Sequence, residues 1–401
     1  FISGGTVGSG IIIDNSNNIV TATRFDSVAV LRFDSNGNSI GNDTAPAIPT
    51  TLNSVTGTGS IGISRDKSGN NMLIGSLAGL ATQNNKRRYR LTKLNSSYQL
   101  VWMKDIISPT STDGSSGTLG TIRVGAGGIS DAEVFDTASD GSIYLAASTD
   151  ANNPSPNPTL AGRGFVIKMD SSGNSVWQRY YDTGANYVDI RFTSVKVDSS
   201  GNIITAGVFN CQGQARAASQ DTVTGVVKWD PSGNILWQRL FKPPSTYGSA
   251  ASLMTDSSDN IYLVTKFGNS ANNAIIKLNS AGTILWQRSF KSNFNAYTAV
   301  ATGELSLIGS SILISFTAGS SVADPYYSPM YLKYPQDGSL TGTYTLGSNT
   351  VTIAATSYTS FTPTMSAFST SDFTISNGSG FTTANIAVTT NTLNQIVTTI
   401  S

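Results

Sequence analysis

The sequence predicts an all-β chain: a six-bladed β-propeller of four-stranded antiparallel blades, with a short β-rich C-terminal appendage. Three observations predict it. First, a third-strand signature recurs, an apolar pair followed by a cation and a further apolar residue. It reads VLRFD at Arg32, LTKLN at Lys93, VIKMD at Lys168, VVKWD at Lys228, IIKLN at Lys277 and YLKYP at Lys333, at spacings of 61, 75, 60, 49 and 56 residues. Second, a fourth-strand signature follows four of these, LVWMK at Trp102, SVWQR at Trp177, and ILWQR at both Trp237 and Trp286; SIGND and SLTGT stand in its place in the first and sixth units. Third, Gly, Ser, Thr and Asn dominate, and no stretch holds a 3.6-residue apolar period beyond two turns, which excludes a helical solenoid. A four-stranded unit is too small to bury its own apolar faces, so neighbouring units must cover them.

The best-formed unit is residues 192–241. Val195 and Val197 lead into Asp198-Ser199-Ser200-Gly201-Asn202, and Ile203 and Ile204 lead out. Two β-branched runs joined by such a cluster make a hairpin, because Asp bonds the backbone ahead of it and Gly accepts positive φ. The pattern repeats as Val226-Val227-Lys228-Trp229, then Asp230-Pro231-Ser232-Gly233-Asn234, then Ile235-Leu236-Trp237. The unit therefore has strands A to D with tight A–B and C–D turns.

The other units follow in order. Residues 7–42 form blade one, with a very short B–C link, and the Pro- and Thr-rich stretch 43–59 leads to blade two (GISRD, NMLIGSL, YRLTKLN, QLVWMKD). Residues 106–130 read as a long Gly/Ser/Thr loop before blade three, which runs from AEVFDTASDGSIYLAAS to FVIKMDSSGNSVWQRYY. Blade five uses ASLMTDSSDNIYLVTKF and AIIKLNSAGTILWQRSF; blade six, the most divergent, uses ELSLIGSSILISF and PMYLKYPQDGSLTGTYTL. The propeller is assigned to residues 1–346. Residues 347–401 form a Thr/Ser-rich β tail with one charged residue, Asp372, serving assembly or completing a propeller edge. An uncharged β-segment left exposed invites edge pairing, so this tail is expected to be covered.

The A–B and C–D turns share one face of the disc, and the B–C and D–A connections share the other. The turns are uniform and the connections vary, so recognition is expected on the connection face. Its candidate binding residues are Asn186, Tyr187, Tyr247, Asn293, Phe294, Tyr326 and Tyr327, which combine apolar area with polar tips. Packing against neighbouring loops is the competing reading for each.

Composition narrows the chemistry. There is no His, and Cys211 is the only Cys, so His-based catalysis, intramolecular disulfides and Cys-cluster zinc sites are excluded. Charged residues make up 12% and the net charge is +1, which argues against a phosphate-bound nucleic-acid partner. No run approaches a membrane span, the N-terminus does not read as a signal peptide, and no cofactor or metal motif is apparent. The third-strand cations are expected to pair locally rather than ring a channel, and the fourth-strand Trp residues to fill blade junctions. The Asp-x-Ser-Gly-Asn turns lack the alternating ligands and terminal Glu of an EF-hand loop. No catalytic residue is assigned. The carboxylates in variable loops (Asp131, Asp150, Asp182, Asp189, Asp221, Asp324, with Glu133 and Glu304) include no pair that the sequence singles out.

With VKVDSSGNIITAG and VVKWDPSGNILWQR, residues 7–346 resemble bacterial β-propeller repeat proteins of the Asp-x-x-Gly-Asn type. Asp170, Gly173 and Trp177 also resemble the Asp-box of sialidase propellers, a structural motif, with the Trp one residue too far from the Gly. The repeat style and uncharged tail resemble structural tail proteins of marine and cyanobacterial bacteriophages. That resemblance implies a non-catalytic virion or extracellular component within a homo- or hetero-oligomeric assembly. Its partners would be other virion or surface-assembly proteins, or a host-surface glycan. The alternatives are a secreted adhesin or filament subunit, and a propeller enzyme acting on polysaccharide.

Overall fold

The computed structural model describes residues 11–14, 16–24, 28–34, 39–41, 61–77, 88–107, 119–123, 134–151, 164–182, 187–211, 222–242, 248–267, 272–292, 302–319, 327–346, 349–363, 366–369 and 374–377. They form six sheets, five of them carrying a complete four-strand meander. Blade one is β1 (Ile11–Ile13), β2 (Ile19–Arg24), β3 (Val28–Phe33) and β4 (Ser39–Gly41). Blade two is β5 (Ile61–Arg65), β6 (Asn71–Leu77), β7 (Arg88–Leu94) and β8 (Leu100–Ile107). Blade three has a first strand in two pieces, β9 (Leu119–Arg123) and β10 (Phe135–Thr137), then β11 (Ile143–Ala151), β12 (Gly164–Met169) and β13 (Ser175–Asp182). Blade four is β14 (Tyr187–Val197), β15 (Ile203–Cys211), β16 (Thr222–Trp229) and β17 (Ile235–Lys242). Blade five is β18 (Gly248–Thr255), β19 (Ile261–Phe267), β20 (Asn272–Leu278) and β21 (Ile284–Ser292). The sixth sheet holds β22 (Thr302–Ile308), β23 (Ser311–Gly319) and β24 (Tyr327–Pro335).

The arrangement is that of a β-propeller. The first strands of consecutive sheets touch one another (β1 with β5, β10 with β14, β14 with β18, β18 with β22), so the sheets converge along their inner edges. The core lies between sheets. Leu91 and Ile106 of blade two pack with Phe135, Leu145 and Ile167 of blade three. Tyr144 and Val166 meet Phe192, Phe209 and Trp229 of blade four. Ile204, Val226 and Phe241 meet Leu253, Leu263 and Ile276 of blade five. Met254, Ile275 and Phe290 meet Ile312, Leu332 and Tyr334 of the sixth sheet. Blades three, four and five thus bury both faces against neighbours, as their size demands.

The turns explain the Asp-x-x-Gly-Asn recurrence. In Asp198–Asn202 one carboxylate oxygen accepts from the Ser200 and Asn202 amides at 2.9 and 2.8 Å, and the other from Asn202 Nδ2 at 3.0 Å. Gly201 takes φ 81°, which favours a residue without Cβ. The same bonds close the turns at Asp14, Asp66, Asp170, Asp230 and Asp256.

Three expectations are corrected. Residues 106–130 are not wholly loop, since β9 pairs with the upper half of β11. The stretch expected to close blade six, β25 (Gly342–Leu346), does not join β24; it forms a hairpin with β26 (Asn349–Ala355), and β26 pairs with β21 of blade five. The six-bladed expectation therefore reduces to five complete blades and a three-stranded sheet. The third correction concerns the tail. Beyond β26 it continues as β27 (Thr359–Phe361) on β17, β28 (Ser366–Ser369) on β13 and β29 (Thr374–Asn377) on β8. Its described strands are not an appendage; they visit the outer edges of blades five, four, three and two in reverse order.

Candidate functional site

The turn face is occupied by structure. At each of four junctions a fourth-strand Trp donates its indole Nε1–H to a carbonyl in the turn after the next sheet's third strand: Trp102 to Ser171, Trp177 to Pro231, Trp237 to Ser280 and Trp286 to Gln336, at 3.0–3.2 Å. The turn glycine lies against the ring; a Cβ at Gly282 would stand 2.9 Å from Trp237. The third-strand cations converge on the same turns. Lys168, Lys228 and Lys277 donate to the Pro231, Ser280 and Gln336 carbonyls at 3.3, 3.0 and 3.3 Å. Within their own blades Lys93 and Lys228 pair with Asp66 and Asp198 at 2.9 and 2.8 Å. These cations hold blades together and do not ring a channel. Burial alone would raise the Asp66 and Asp198 carboxyls, but hydrogen bonds from the paired Lys and the turn Asn outweigh it and hold both below the ordinary range.

Blade one lacks the Trp, and the junction is built differently. Gly41 occupies the register position opposite Arg32 that Trp holds opposite Lys93, Lys168, Lys228 and Lys277. The missing ring comes from the other side. Tyr98, at the turn position held elsewhere by Gly and with φ 63°, lies under the Arg32 guanidinium at 4.7 Å and donates to Asp14 Oδ2 at 3.3 Å.

The connection face is where sequence reasoning placed recognition. Asn186, Tyr247, Asn293, Phe294 and Tyr326 lie outside the described residues. Tyr187 opens β14 opposite Cys211, and Tyr327 opens β24 opposite Gly319, both at the connection end of their sheets. The strand ends flanking the other five, Asp182, Lys242, Ser292 and Gly319, reach that same end. The fold therefore gathers the attachment points of all seven on one face. Cys211, read as a loop residue, ends β15.

The inner strand of blade three is broken on this side of the disc. β9 pairs with β11 from Ala151 down to Ser148, and β10 resumes from Leu145 to Ile143, so only Ala146 and Ala147 separate the pieces on the partner strand. β9 ends at Arg123 and β10 begins at Phe135, on either side of that gap at the inner edge of the sheet. Asp150, opposite Thr121, lies just above the break. Asp189, opposite Asn210, lies at the connection end of β14, the inner strand of blade four. A hydrogen bond from the Val197 amide to Asp136 Oδ2, at 2.8 Å, ties the lower ends of these two inner strands together. The sequence singled out no such pair, because Asp150 and Asp189 lie 39 residues apart on strands of different blades.

No protein-family model matches the chain, and no curated protein matches it. Solved structures share its arrangement at low identity. An α-L-arabinofuranosidase from Fusarium graminearum is 9% identical, with TM-score 0.45 over 82% of this chain and 93% of that one. An ulvan lyase is 11% identical, with TM-score 0.43 over 82% and 92%. A further polysaccharide lyase is 11% identical, with TM-score 0.41 over 92% and 90%. These likenesses are of fold. The expectation of a non-catalytic virion component is corrected: the three structures named are a glycosidase and two polysaccharide lyases. The reading as not an enzyme is withdrawn with it.

Proposed function

We propose that the chain is a propeller enzyme acting on polysaccharide, with its site on the connection face over the inner strands of blades three and four. The carrying observation is the interrupted first strand of blade three, with Asp150 beside the break and Asp189 at the connection end of the adjoining inner strand. The common hydrolytic route to cleaving a glycosidic bond uses two carboxylates: one protonates the leaving oxygen, the other serves as base or nucleophile. On the turn face the described Asp14, Asp66, Asp170, Asp198, Asp230 and Asp256 carboxylates are engaged by turn amides, and Asp66 and Asp198 also by lysines. The chain has no His, so the acid–base work falls to its other ionisable groups, carboxylates among them. We read the six sheets as blades of one ring, the sixth incomplete, because the six third-strand cations stand on β3, β7, β12, β16, β20 and β24, one per sheet. Of the expected partners, a glycan remains as the ligand class, and an extracellular setting suits such a substrate. The test is a screen of the purified chain against neutral and uronate-containing polysaccharides, following binding, new reducing ends and unsaturated products. Cleavage lost in both Asp150→Asn and Asp189→Asn supports the reading; binding without cleavage across the panel refutes it.

A further inference from the structure

The tail follows a regular path. Opposite the equivalent fourth-strand positions Phe290, Phe241, Tyr181 and Ile106 stand Ile353, Ser360, Ala367 and Ile375, steps of seven, seven and eight residues per blade. The strands it covers, β8, β13, β17 and β21, are eight, eight, eight and nine residues long. Without the tail each would be a long outer edge carrying unpaired amides and carbonyls, a template for pairing with another chain. With it, the outermost strands of blades two, three and four are four, four and three residues long. The remaining perimeter is blunted by other means: β4 of blade one has three residues, and β24 carries Pro329 and Pro335, which lack amide hydrogens.

We infer that residues 349–377 are a perimeter belt that guards the outer edges of blades two to five, and that it releases from its C-terminal end. The order of release follows from pairing. β26 is held on both edges, by β21 and β25, and buries Val351 and Ile353 in the core between blade five and the sixth sheet. The next corner is fastened by the Tyr358 amide, which donates to Gln287 Oε1 at 2.9 Å, and Tyr358 packs against the core between blades four and five. Among the described residues β27, β28 and β29 are each paired on one edge only. Short one-sided strands open at lower free energy than a two-sided strand set in the core.

Hydrogen exchange on the full chain tests the order, and a variant tests the guarding. Amide protection is expected to be greatest in β26 and lower in β27, β28 and β29. Phe368→Pro combined with Ser376→Pro removes ladder donors from β28 and β29, since both stand at the hydrogen-bonded register parity of Ala354 opposite Ser289. It should leave the near-UV circular dichroism unchanged, speed exchange in β13 and β8 by roughly tenfold or more, and produce concentration-dependent association in sedimentation. Uniform protection along the belt, or global unfolding of the variant, overturns stepwise release. A folded variant that stays monomeric with unchanged exchange in β13 and β8 overturns the guarding role.

Discussion

Trp237 is half-buried, stacked on Gly282 of the next blade and bonded to the Ser280 carbonyl. Its truncation to Ala should cost about 2–3 kcal/mol in denaturant unfolding, at or below the low end for fully buried aromatics, because part of the ring already faces water. Gly282→Ala should destabilise as well, since φ is 79° and the new Cβ would meet the ring. The Tyr98 junction gives a sharper test. Tyr98→Gly removes the strain of φ 63° but also the ring under Arg32, and a net loss of about 1–2 kcal/mol is expected. Adding Gly41→Trp rebuilds the arrangement of the other junctions, so the double variant should be more stable than Tyr98→Gly alone. At this scale the sequence was informative: Trp and Lys at fixed offsets announced a junction. The Tyr98 substitute was hidden, because it sits in a different unit from the vacancy it fills.

The turn and its paired strand behave as one element. Lys228→Ala would leave the Asp198 carboxylate buried without its cation, and about 3–5 kcal/mol should be lost in denaturant unfolding. The Asp carboxyls of the turns also set an acid limit. At Asp66, Asp198 and Asp256 burial pushes upward but hydrogen bonds win, so the folded state releases protons more readily than the unfolded one. Their stabilisation is complete above the ordinary carboxyl range, about pH 4, and is lost as pH falls through the lower folded values. An alkaline limit has the opposite sign. Burial raises the Tyr98 and Tyr144 phenols to about 12, so stability present below about pH 10 declines as pH rises from there. Thermal melts across pH should fall off on both sides of a broad plateau. Strand existence was legible from alternation and turn residues, but strand partners were not. SLTGTYTL reads as a fourth strand whichever sheet receives it, and the uncharged tail has no mark that distinguishes an outer edge from a separate appendage.

Across the whole molecule the two faces of the disc divide the work. One is closed by turns whose carboxylates, indoles and lysines bond the next blade. The other carries the strand ends that flank the long connections, and the broken inner strand. Propeller architecture was readable because each unit repeats its own turn chemistry. The proposed site was not, because Asp150 and Asp189 stand on strands of different blades that meet only through stacking. The most direct measurement is polysaccharide turnover in two variant pairs, read beside their melting temperatures. Asp150→Asn and Asp189→Asn should abolish turnover and leave melting unchanged, while Asp170→Asn and Asp230→Asn should lower melting and retain turnover per folded molecule. Full turnover in Asp150→Asn and Asp189→Asn, or loss confined to the turn variants, would contradict a catalytic connection face.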